Sequence, residues 1–130
     1  MVPGVILGHV NSRGEAVVPL PVHGPAGRQL QAQFVIDSGF NGQLSMPFRM
    51  VRDLGLTWFE EDTGTLADGS RATFDVYLAT VLWLGQHRRV TVNAMESPPT
   101  IGTELLMGHA ISAQWVPGGS VRIEPLRPVT

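Results

Sequence analysis

The sequence predicts an all-β fold carrying one or two short helices. Three observations lead there. Fifteen Gly and ten Pro recur at short intervals along 130 residues, so most intervening segments are too brief for helices. Those segments are rich in β-branched residues, which suit a pleated surface. One of them, Gln29 to Ile36, alternates without a break: Leu30, Ala32, Phe34 and Ile36 on one face, Gln29, Gln31 and Gln33 on the other. The length suggests one domain spanning 1–130, and 43% hydrophobic residues suffice for a real core.

The elements follow in order. Val5 to Val10 reads as a strand, Asn11 to Gly14 as a turn, and Ala16 to Val22 as a second strand that Pro21 either ends or confines to an edge. His23 to Gly27 turns the chain into the alternating strand Gln29–Ile36, which is half-buried by its pattern. Gln43 to Met46 is a short strand. Pro47 suits a first helical turn, Phe48, Val51 and Leu54 repeat at helical spacing as a core stripe, and Gly55 is a natural stop. Thr57 to Leu66 and Arg71 to Tyr77 form a hairpin around Ala67-Asp68-Gly69-Ser70, where Asp68-Gly69 predicts a two-residue turn of the mirror-image type. Leu78 to Leu84 continues that strand, Gly85-Gln86 turns it, and Arg88 to Ala94 returns. Ser97-Pro98-Pro99 is an extended linker before Ile101-Gly102 and a helical turn over Thr103 to Met107, ended by Gly108. Ala110 to Val116 and Ser120 to Glu124 are the last strands, joined by Pro117-Gly118-Gly119; Pro125 and Pro128 keep the tail extended.

Composition narrows the function. The formal net charge is −2, every basic residue is Arg, and Arg88-Arg89 is the only adjacent pair, so no nucleic-acid partner is expected. No Cys is present, which rules out disulfides and thiolate metal sites; His9, His23, His87 and His109 show no ligand spacing, so no metal is expected either. Neither a signal-peptide pattern nor an apolar run of the ~20 residues a transmembrane helix needs occurs. A soluble, cytoplasmic protein without membrane contact is the expectation.

Asp37-Ser38-Gly39 is the informative motif. It follows the apolar run Phe34-Val35-Ile36 directly, so a strand delivers a carboxylate to its own mouth on a loop whose glycine admits a close-lying ligand. Taken alone the triplet also suits an ordinary turn. Asp68 reads as a turn former. Trp58, Trp83 and Trp115 read as core or interface anchors, with Trp58 near the hairpin base able to line a subsite. His109 reads as a surface residue at a helix end, and Glu60-Glu61-Asp62 as a solvated face.

In chain order, the strand ending in Ile36-Asp37-Ser38-Gly39, the long hairpin, and Thr100-Ile101-Gly102-Thr103-Glu104-Leu105-Leu106 resemble the retropepsin-like aspartic proteases, in particular the small single-domain bacterial type. The resemblance runs from about the second strand to Glu124. It implies a closed-barrel-like retropepsin-type fold with a flap hairpin, and an aspartic endopeptidase that hydrolyses peptide bonds without metal or organic cofactor. In such enzymes two carboxylates share one proton; one activates a water and the other polarises the scissile carbonyl. One Asp-Ser-Gly per chain therefore implies a homodimer with an Asp37 from each protomer at the two-fold axis. Ser38 is expected to hydrogen-bond across the axis, Gly39 to admit the substrate backbone, and Asp68, Gly69 and Ser70 to form the flap tip over a peptide or protein substrate. Ile101 and Gly102 are expected beneath the Asp loop, and all of these, with Phe40 and Asn41, are candidate substrate-site residues. Phe40 stands where many members carry Ala, Asn41 where retroviral members carry a carboxylate, and Thr100 where the motif is apolar. A β-barrel binding module with the same fold and no catalysis is the alternative. For the dimer contact, the segments Val5–Gly8 and Ser120–Thr130 are candidates because terminal strands offer free edges.

Overall fold

The computed structural model describes residues 4–66 and 68–127; Ala67 of the expected turn, and the Pro128–Thr130 end of the segment expected at the dimer contact, lie outside the described residues. Ten strands form one continuous sheet: β1 (Ile6–Val10), β2 (Ala16–His23), β3 (Gln29–Ile36), β4 (Leu44–Met46), β5 (Thr57–Thr65), β6 (Arg71–Trp83), β7 (Gln86–Ala94), β8 (Thr100–Ile101), β9 (His109–Ala113) and β10 (Ser120–Pro125). Helix α1 spans Phe48–Leu54 and α2 spans Thr103–Leu106. The order across the sheet is β5-β6-β7-β4-β8-β3-β2-β1-β10-β9. A further pairing of β2 with β6, Val22 opposite Val81, closes β6, β7, β4, β8, β3 and β2 into a barrel. Closure removes the unpaired edges of those strands and leaves β5 and β9 as the outer ones.

Local chemistry accounts for the elements. In β3 the alternation holds: the three glutamines are exposed and Phe34 is fully buried, a side chain whose burial contributes roughly 1.5–3 kcal/mol. Pro19 and Pro21 do not end β2, which runs on to His23. They sit between the stretch paired with β1, at Ala16 and Val17, and the stretch paired with β6, at Val22 and His23. There the strand has only β3 beside it, so a missing N–H breaks no ladder. Helix α1 buries Val51 and Leu54 and stops at Gly55, which takes a left-handed φ of 63° and returns its N–H to the Arg52 carbonyl. Phe48 departs from the expected core stripe: it is half-exposed, at the start of the helix where its N–H bonds to the Glu96 carboxylate.

The β5–β6 tip is not the two-residue turn that Asp68-Gly69 predicts. Leu66 donates its N–H to the Ser70 carbonyl, and Gly69, at φ 86°, donates to the Leu66 carbonyl. The loop is thus one residue longer, with its left-handed glycine last. The mirror-image turn appears instead between β6 and β7, where Leu84 and Gly85 both take positive φ and Trp83 pairs with Gln86. Strand β9 is shorter than Ala110–Val116 because Gln114 already bonds back to Ser120, starting the turn that leaves Trp115 and Val116 exposed.

One core fills the barrel, built on Val18, Leu20, Phe34, Leu44, Val81, Val92, Ile101 and Leu105, and it includes Trp83. Trp58 and Trp115 lie outside it and are mostly exposed. Among the described residues no helix is long and apolar enough to cross a membrane, and no group of three or more His, Asp or Glu side chains is placed to hold a metal ion.

Candidate functional site

The Asp loop is held from both ends. Strands β3 and β8 run parallel, Val35 beside Thr100 and Ile36 beside Ile101, and the ladder carries on into the loop as the Asp37 N–H bonds to the Ile101 carbonyl at 3.0 Å. The loop closes on itself where Phe40 N–H reaches the Asp37 carbonyl and Gly39 N–H donates to Asp37 Oδ1 at 2.8 Å. That last bond fixes one carboxylate oxygen, and the carboxylate itself is exposed on the single chain, as are Ser38 and Gly39.

The segment leading into α2 clamps the far side. Gly102 N–H bonds to the Gln43 carbonyl, Thr103 N–H to the Phe40 carbonyl at 2.8 Å, and Glu104 N–H to the Gly42 carbonyl. A side chain at 102 has nowhere to go: its Cβ would fall on the Gly42 carbonyl oxygen and within 2.7 Å of Phe40 Cδ2 and the Phe40 carbonyl. Glycine is needed there for close approach of two backbones, at an ordinary φ of −100°. Ile101 and Gly102 are both buried, so they support the loop from below and present nothing to a bound molecule. Phe40 folds onto Gly42 and Gly102 and is half-buried, part of the loop's own packing as well as of the wall beside it.

Between this loop and the β5–β6 hairpin lies a groove of about 500 Å³. Gly39, Phe40 and Asn41 form one wall, Glu60, Asp62, Gly64, Thr65, Phe74 and Val76 of the hairpin another, and Thr91, Asn93, Met95 and Glu104 complete it. A smaller, more apolar hollow of about 250 Å³ continues under the hairpin and shares Gly64, Thr65, Phe74 and Met95. The structure thus brings the Asp loop and the hairpin together over one space. It does not bring Asp68, Gly69 or Ser70 into that space: they stand at the exposed tip beyond it. There Asp68 Oδ1 accepts from both Ser70 Oγ, at 2.6 Å, and Ser70 N–H, at 2.8 Å. These bonds, the hydroxyl one first, hold the Asp68 carboxyl below the ordinary 3.8. Asp68 is a turn-shaping residue, as its context predicts.

Sequence reasoning overlooked Glu60, Asp62 and Glu104 as groove residues. Glu60 and Asp62 are exposed, as expected of a solvated face, yet their shared parity in β5 turns both toward the Asp loop. That parity was the available signal. The groove carries three carboxylates and, among the described residues, no Arg. His109 also differs from its reading. It is half-buried, its Nε2 accepts the Trp83 indole N–H at 3.0 Å, and its Nδ1 lies 2.9 Å from the Met107 carbonyl. This fixes the neutral tautomer with hydrogen on Nδ1 and gives the ring a structural role.

No family model matches the chain, and no curated protein sequence matches it either. Among solved structures it is similar to a retropepsin-like aspartic protease from Rickettsia conorii, at 10% identity over 92% of this chain and 90% of that one, with a TM-score of 0.52. At that identity the likeness is one of fold. The chain has the all-β, retropepsin-like fold.

Proposed function

We propose that the protein is an aspartic-type endopeptidase acting as a homodimer, with Asp37 of each protomer forming the catalytic dyad. The observation that carries this reading is the placement of Asp37 on a loop anchored by Ile101 and by the start of α2, beside a groove roofed by the β5–β6 hairpin, in a retropepsin-like fold. Paired carboxylates at a two-fold axis share a proton, so one takes a proton from water while the other donates to the scissile carbonyl oxygen. The exposure of Asp37 on the single chain fits a group whose surroundings come from a second copy. Ser38, exposed beside it, offers a hydroxyl to the facing loop. Gly39 leaves room for substrate backbone, and Phe40 and Asn41 border the first subsites. The hairpin would close over a bound peptide and exclude water.

The test is cleavage of a peptide library by purified protein between about pH 3 and 7, where such dyads titrate, together with sedimentation. Asp37→Asn should abolish turnover while leaving the fold and dimer intact. Turnover unaffected by that substitution, or a wild-type protein that is monomeric at assay concentration and inert across that range, would leave the non-catalytic binding module as the better account.

A further inference from the structure

We propose a second site, distinct from the Asp37 groove, that binds an oxyanion, either a carboxylate or a phosphate. It lies where β6 changes partner. Strand β6 pairs with β5 as far as Leu78, opposite Thr57, and with β2 from Thr80, opposite His23. At Ala79, between the two ladders, the neighbouring strand is interrupted, and a cavity of about 400 Å³ opens there.

The side chains around the gap suit one kind of ligand. His23, Thr80 and Arg89 form a single cross-strand row, His23 opposite Thr80 and Thr80 opposite Arg89. Residues directly opposite in antiparallel strands have Cβ atoms about 5 Å apart and share a face. The row therefore presents an imidazole, a hydroxyl and a guanidinium over roughly 10 Å, and Thr57 adds a second hydroxyl from β5. His23 and Thr80 are half-buried and make the floor, while Arg89 is exposed and makes the rim. His87, two residues from Arg89 on the same face, packs edge-on against His23 at 5.4 Å between ring centres and limits where that imidazole can point. No carboxylate lines the cavity, and the two ion pairs among the described residues, Arg52–Asp53 and Arg122–Glu124, leave Arg89 out. Groups able to donate, with a guanidinium among them and no carboxylate in the lining to neutralise it, suit a carboxylate or phosphate group.

The site and the groove share no lining residue, although they come near each other on β7, where Arg89 and the groove residue Thr91 are two residues apart, roughly 7 Å at the rise of a strand. Its existence does not depend on the protease reading, and the measurement is binding alone. The folded protein is titrated at constant ionic strength, once with inorganic phosphate and once with a short Glu-containing peptide, while amide and imidazole NMR shifts are followed. Saturable shifts centred on His23, Thr80 and Arg89 are expected with at least one of them; phosphate alone, peptide alone or both identifies the source of the oxyanion. Arg89→Gln should weaken that binding about fivefold, the upper worth of an exposed charge pair. Arg88→Gln removes the same charge from the opposite face of β7, beside Val81, and should change affinity by no more than about twofold. Equal effects of the two substitutions would reveal only diffuse positive charge and overturn the proposal, as would the absence of saturable shifts with either probe.

Discussion

Replacing Gly102 by Ala isolates what holds the Asp loop. The backbone conformation at 102 is open to any residue, at φ −100°, so an added methyl introduces no torsional strain. Its cost is steric alone. The new Cβ would meet the Gly42 carbonyl, the Phe40 carbonyl and the Phe40 ring, all closer than the 3.0 Å that real Cβ atoms respect. Two of these are backbone atoms, and the three hydrogen bonds from Gly102, Thr103 and Glu104 to the Phe40–Gln43 segment hold both chains in place. Relief requires the loop to lift by several tenths of an ångström at least, stretching those bonds. Overpacking in a rigid setting costs about 1–3 kcal/mol, and the upper end applies here. For a chain of this length each kcal/mol moves the melting temperature by roughly 4 °C, so a fall of about 10 °C is expected in a thermal melt. Phe40→Ala in the same chain removes only the ring contact and should restore less than half of the loss. Gly69→Ala is the contrast: it sits at φ 86° with nothing within 4 Å, so its cost is torsional, about 1–2 kcal/mol, and is confined to the hairpin tip. If Gly102→Ala melts within about 2 °C of the parent, the clamp does not hold the loop as described.

Three further outcomes follow from the same geometry. The Asp68 carboxyl should titrate below 3.8 by carbon NMR, and Ser70→Ala should move it back up by removing the first of its donors. Because the folded value is depressed, the contribution is present above the unfolded pKa and is lost as pH falls through the folded one, so the tip should loosen only in acid. In the proposed peptidase, the carboxylates of Glu60, Asp62 and Glu104 should favour substrates with Lys or Arg over those with Asp or Glu near the scissile bond. An exposed pair is worth at most about 1 kcal/mol, a factor of about five, and added salt should erase it. Trp83→Phe should cost about 1–3 kcal/mol in denaturant unfolding, because it strips His109 Nε2 of its donor in a part-buried setting and shrinks a side chain of the core.

Much of this was legible because its causes are local. The alternation of Gln29–Ile36 specifies a half-buried strand whatever surrounds it, and that strand delivers Asp37. Gly55 stops α1 through its own φ. What was not legible depends on partners distant in sequence. Pro21 could be read as a strand end or an edge, and only the handover of β2 from β1 to β6 shows a strand that is unpartnered on one side for a few residues. Asp68-Gly69 encodes a turn but not its length, since a left-handed glycine serves both the two-residue and the longer loop. Likewise, His109 looked like a surface residue because Trp83, which fixes it, comes from another strand. The part of Gly102 in the site needed the Asp loop laid against it: the sequence shows a glycine, and the structure shows the carbonyl that forbids anything larger.

The strand order also sharpens what the proposed dyad demands. Terminal strands were expected to offer free edges, but β1 lies between β2 and β10, and β10 between β1 and β9. Strand β10 is paired on both sides over Val121–Ile123, whereas β1 meets β2 only at His9 and Val10, so Ile6, Leu7 and Gly8 keep one unpaired side. Among the described residues the outer strands are β5 and β9. Strand β5 carries Glu60, Glu61 and Asp62 together with a register break between Trp58 and Glu60, and both features discourage edge-to-edge pairing. Strand β9 has neither. It begins seven residues after Gly102, just past the helix that clamps the Asp loop, with the exposed Met107 before it and the exposed Ile111 within it. A second protomer approaching from that side meets an open edge and apolar side chains a few residues after Gly102, which packs against the Asp loop. One approaching along β5 meets carboxylates. If two Asp37 side chains are to share a proton, the second protomer has two edges free of the acidic side chains of β5 on which to pair, β9 and the Ile6–Gly8 stretch of β1.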